Sequence, residues 1–131
     1  MKFKAIFLAT AVSFGLISAA YAQDYSKLLK GKRLILKEAT CAGLEFKDDK
    51  KVLMYAELEC SKWEEPTAHG QLKWLSQNTF VVVETSKDKK DCPPRNWIYQ
   101  IQSVVGNQVK LKEFWTGWGN SKDEVLEYTI K

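Results

Sequence analysis

The sequence predicts an all-β protein, an eight-stranded antiparallel up-and-down meander barrel with a short N-terminal helix. Three observations predict it. After Gly31 the chain breaks into short segments in which apolar and polar residues alternate, the period of a half-buried strand. Turn residues separate these segments at fairly regular spacing, with no long helical pattern between them. Eight such strands are enough to close a sheet on itself and remove both exposed edges.

The first 22 residues read as an export signal. Lys2 and Lys4 supply a positive start, Ala5 to Ile17 is an uncharged apolar run, and Ala20-Tyr21-Ala22 is an A-x-A cleavage site. The run is short for a bilayer span, and no Cys stands at the cleavage point to carry a lipid anchor. The compact signal is of the bacterial kind, so the expected location is the periplasm or the medium, with a soluble mature protein. Residues 23–131 are then the barrel domain, with 18 basic and 16 acidic residues. That balance offers no massed positive face, so no nucleic-acid partner is expected.

Asp24 to Lys30 has the length of about two helical turns, with Asp24 as N-cap and Gly31 as the stop. The strands follow at about Lys32 to Glu38, Ala42 to Lys47, Val52 to Leu58 and Gly70 to Leu75. The remaining four are about Thr79 to Thr85, Arg95 to Val104, Gln108 to Trp115 and Glu124 to Ile130. Tight turns at Asp48, Gln77 and Gly106 alternate with longer connections at 59–69, 86–94 and 116–122. In an up-and-down meander alternate connections share an end, so the long loops form one mouth. Function rides on loops held by a rigid scaffold, which makes this mouth the candidate site.

A short helix, a glycine opening the first strand and an eight-stranded meander resemble the lipocalin and calycin class. The resemblance is one of layout over most of residues 23–131. The Gly-x-Trp signature of lipocalins reads Gly31-Lys32-Arg33 here, so the Trp is absent. The resemblance implies a small secreted bacterial lipocalin-like barrel that binds a small apolar ligand or blocks a partner protein.

Side-chain alternation sharpens the mouth. Glu84, Arg95 and Glu113 fall on the inner face near the same end, on three successive strands, in phase with Trp97, Tyr99 and Trp115. Charges on an inner face are costly unless paired, so these three are expected to form an internal cluster. Trp118, between Gly117 and Gly119, is a candidate lid or anchor. These seven residues are the candidate ligand-binding set.

Three Cys in an oxidising compartment favour one disulfide, Cys60 with Cys92 or with Cys41, and a spare thiol. Strand alternation puts Cys41 outward and Cys60 inward, which tilts the choice to Cys60–Cys92. Cys41, Cys60, Cys92 and the lone His69 have the ligand types of a zinc site, but no C-x-x-C spacing, so no metal or other cofactor is expected. One His and no nucleophile motif argue against an enzyme. The leading expectation is a non-enzymatic binding protein holding a small, partly apolar ligand at the mouth. The alternative is an inhibitor or immunity protein acting on an envelope-directed enzyme or toxin. A hollow interior of ~300 Å³ or more would favour the first, and a filled barrel the second.

Overall fold

The computed structural model describes residues 23–85, 93–117 and 119–131. The expected export signal and Cys92 lie outside the described residues, as does Trp118. In order, the elements are α1 (Tyr25–Leu29), β1 (Arg33–Leu36), β2 (Gly43–Phe46), β3 (Lys51–Tyr55), α2 (Glu57–Trp63), β4 (Ala68–Trp74), β5 (Thr79–Glu84), β6 (Asn96–Val105), β7 (Gln108–Phe114) and β8 (Glu124–Ile130). Each strand pairs antiparallel with the next, and β1 pairs with β8 to close the barrel. The closing seam continues past β8, where Arg33 and Lys131 exchange two backbone hydrogen bonds of 3.0 and 2.8 Å.

Asp24 caps α1 by accepting from the Ser26 backbone N–H at 3.1 Å. Gly31 then takes φ +72°, a left-handed conformation that costs glycine nothing, and its N–H donates to Phe46 O. This turn lays α1 across the tight-turn end, where the Tyr25 N–H donates to Gln77 O and Leu29 is fully buried. Above Leu29 the inward residues of successive strands make one core, from Leu34, Leu44 and Phe46 round to Val109, Leu111 and Tyr128. Phe80 is its hub, with ring centroids 5.4 Å from Phe46, 5.0 Å from Trp74 and 5.2 Å from Tyr99. Such aromatic contacts add about 0.5–1.5 kcal/mol each beyond the area they bury. At Gly43, with φ +152°, a Cβ would stand 1.8 Å from Leu34 O, so the β1–β2 approach requires glycine there.

One connection differs from the sequence expectation. The third strand stops at Tyr55 instead of Leu58, and α2 occupies the segment expected as strand end and polar loop. Glu57 and Glu59 in its first turn and Lys62 in its last complement the helix dipole. The Glu57 carboxylate reaches across to accept from the backbone N–H groups of Thr40, Cys41 and Ala42 at 2.8, 3.1 and 2.9 Å. Those donors hold its pKa down at about 2. The helix also brings Cys60 to Cys41, and the two form a disulfide with Cα atoms 6.0 Å apart. The tilt toward Cys60–Cys92 is therefore corrected. It assumed that strand alternation ran on through Cys60, and a helical turn cancels that phase. His69 also moves, from the loop into β4, where it lies opposite Leu53.

Candidate functional site at the barrel mouth

Closure of the meander sorts the connections by end. Those at 37–42 and 56–67 lie at one end, as do the described residues that flank the β5–β6 and β7–β8 connections, and the three tight turns lie with α1 at the other. Inner-face phase runs as the alternation requires. Val82 pairs with Trp97, Phe80 with Tyr99, Tyr99 with Glu113, and Glu113 with Glu124.

The mouth half of the interior holds a cavity of about 220 Å³, lined by Met54, Ala68, Arg95, Trp97, Tyr99 and Tyr128 among others. A second cavity of about 160 Å³ is lined by Glu113, Trp115, Ser121, Lys122 and Glu124. Three of the expected site residues, Arg95, Trp97 and Tyr99, thus share the larger cavity, while Glu113 and Trp115 border the smaller one. Trp115 is nearly half exposed and lies against its own loop, where a Cβ at Gly117 would meet its ring at 2.6 Å.

Glu84 and Arg95 form a bidentate pair at the rim. Arg95 Nε donates to Glu84 Oε2 at 3.0 Å, Arg95 Nη2 donates to Oε1 at 2.9 Å, and the Arg95 backbone N–H also donates to Oε2. The guanidinium lies 5.0 Å from the Trp97 ring centroid, a cation–π contact. The Arg95 hydrogen bonds hold the Glu84 carboxyl below its ordinary pKa. The Arg95 side chain is nevertheless 57% exposed.

The expected three-membered cluster is corrected. Glu113 makes no ion pair with Arg95, and it has no hydrogen-bond or ion-pair partner among the described residues. Register gives the reason. Glu113 sits opposite Tyr99, four residues further along the chain than Arg95, or roughly 13 Å at strand rise. Burial pushes its carboxyl pKa up, and the neighbouring Glu124 pushes it further. Tyr99 and Tyr128 are raised above the ordinary phenol range by burial, then by the charge of Glu113. Both hydroxyls therefore stay protonated at neutral pH.

Tyr128, Met54 and Ala68 were not among the expected site residues. The alternation Leu126, Tyr128, Ile130 on β8 carries the signal for Tyr128. Cys41, Glu57 and Cys60 bring three ligand-type atoms within 4.8 Å of one another. The disulfide consumes both thiols, and the Glu57 oxygens already accept from three backbone donors.

No family model matches the chain, and no curated protein or solved structure matches it. Among the described residues, no helix is long and apolar enough to cross a membrane.

Proposed function

We propose that this is a non-enzymatic binding protein of the periplasm or the medium, holding a small, partly apolar ligand in the mouth of the barrel. The cavity of about 220 Å³ carries this reading, because its wall is mainly aromatic and aliphatic with a few polar groups. It falls short of the ~300 Å³ at which ligand pockets usually start. The ligand is accordingly compact. The Cys41–Cys60 bridge fits an oxidising compartment, in keeping with the export-signal pattern of residues 1–22. The lipocalin-like layout supports the reading as analogy of fold only.

A second reading, a module that blocks an envelope enzyme or toxin, draws on a different observation. Leu58 and Trp63 on α2 are 56% and 60% exposed, at the same end as the exposed Trp115. Intrinsic tryptophan fluorescence separates the two. Compact aromatic compounds should shift the emission saturably, and Ala68→Leu, which fills the cavity, should weaken the response about tenfold or more without lowering the melting temperature. An emission spectrum indifferent to such compounds would move the assignment to the second reading.

A further inference from the structure

Two hydroxyls of the larger cavity stand without a partner among the described residues. Tyr99 and Tyr128 are 3% and 5% exposed, and both line the cavity of about 220 Å³. Neither hydroxyl makes a hydrogen bond there. Among the described residues, Arg33 Nε is the one side-chain polar atom both sealed from solvent and without a partner. Both tyrosine oxygens therefore keep contact with open space, and the cavity that their side chains line is that space. Burial pushes both phenols above their ordinary pKa, so each keeps its proton at neutral pH. Buried polar groups are ordinarily satisfied, so a pair of free O–H donors on one cavity indicates what that cavity receives.

The other polar groups on this wall are already engaged. The Tyr55 hydroxyl donates to Glu45 Oε2 at 2.6 Å, and the Thr67 hydroxyl accepts from the Ala56 N–H at 2.9 Å. Arg95 is the one charged residue lining the cavity among the described residues, and Glu84 holds it in a two-point pair. A ligand anion would thus meet a cation whose charge is already matched. A ligand cation would meet no carboxylate on the wall, since Glu113 borders the other cavity. Either would give up its water without a counter-charge in return, which is costly.

We infer that the ligand of the mouth is uncharged and carries a carbonyl-type oxygen that accepts from the Tyr99 and Tyr128 hydroxyls, while its apolar body lies against Trp97 and Met54. This rests on the mouth being the binding site, and it names the class of ligand. A ketone, ester or amide oxygen has two lone pairs and no proton, which matches two O–H donors. An alcohol would bring a proton of its own, and the only free acceptors on the wall are the same two phenol oxygens. A ligand of equal shape without the oxygen would leave both hydroxyls buried and unmet, so the site discriminates against it.

The test titrates four compact probes by calorimetry at pH 7. Acetophenone carries the carbonyl, α-methylstyrene replaces its oxygen by a methylene group in nearly the same shape, and benzoate and benzylamine carry charge. Acetophenone should bind about tenfold more tightly than α-methylstyrene, and more tightly than either charged probe. The double variant Tyr99→Phe, Tyr128→Phe should abolish that preference and leave the α-methylstyrene affinity within about twofold. Because it loses only unpartnered hydroxyls, its urea unfolding midpoint should stand at or above that of wild type. A lower midpoint means that the hydroxyls have partners within the protein and overturns the inference. Equal binding of acetophenone and α-methylstyrene, a preference that survives in the double variant, or tightest binding of a charged probe overturns the carbonyl assignment while leaving the mouth a binding site. No binding by any of the four overturns the binding reading together with the inference.

Discussion

The sealed end of the barrel and its mouth are built from the same strands and treat polar groups in opposite ways. At the sealed end α1 lies across the opening, Leu29 and Phe46 are out of contact with water, and tight turns leave little chain to move. At the mouth Arg95, Tyr99 and Tyr128 border one cavity, and Glu113, without a partner among the described residues, borders another. The sealed half holds the closed apolar core, and the mouth half holds the inward polar groups. The disulfide and the Glu57 carboxylate link α2 to the β1–β2 connection on the mouth side.

The largest expected effect tests the sealed half. Phe80→Ala removes the ring shared by Phe46, Trp74 and Tyr99 and should cost about 3–5 kcal/mol in urea unfolding. Met54→Ala, at the wall of a cavity that already exists, should cost under ~2 kcal/mol. Equal losses would erase the distinction between the halves. The disulfide comes next. Replacing both Cys41 and Cys60 by Ala opens a covalent loop with a sequence separation of 19 and should cost about 3 kcal/mol. Denatured, unreduced wild-type protein should titrate as one free thiol.

Smaller effects probe the mouth. Arg95→Met removes a pair whose arginine is mostly exposed, and the cost should stay below about 1 kcal/mol. A loss of several kcal/mol would mean that Arg95 also neutralises Glu113. Glu113→Gln acts in the other direction. The pKa of this carboxyl is raised on folding, so its favourable contribution is complete below the ordinary carboxyl range and is lost as pH rises through the folded value. The variant should therefore be slightly more stable than wild type at pH 7, with the difference gone by about pH 3. A variant less stable at pH 7 would point to a hidden partner for Glu113.

The strands and the sorting of loops to one end were legible in the sequence, because a period of two and turn residues are local signals. The pairing of Glu84 with Arg95 was legible for the same reason, since adjacent strands joined by a loop must meet in register. Alternation fixes which face a residue occupies and says nothing about its depth. That is why Glu113 was grouped with Arg95 when register places it opposite Tyr99. The helix α2 was missed because Glu57-Leu58-Glu59-Cys60 alternates like a strand over four residues, and its dipole-matched charges count only once a helix is considered. The lean toward Cys60–Cys92 over the alternative Cys41–Cys60 followed directly from that miss.

The seam between β1 and β8 determines how the molecule can be held. Because Arg33 and Lys131 face each other across it, both flanks of the barrel leave from the sealed side, next to α1. A tether attached at residue 131, or ahead of residue 25, grips the barrel by its base and leaves the cavity pointing away from whatever surface it is fixed to. The same neighbourhood lets a short linker join the two flanks and new ends be cut elsewhere without touching the rim of the mouth.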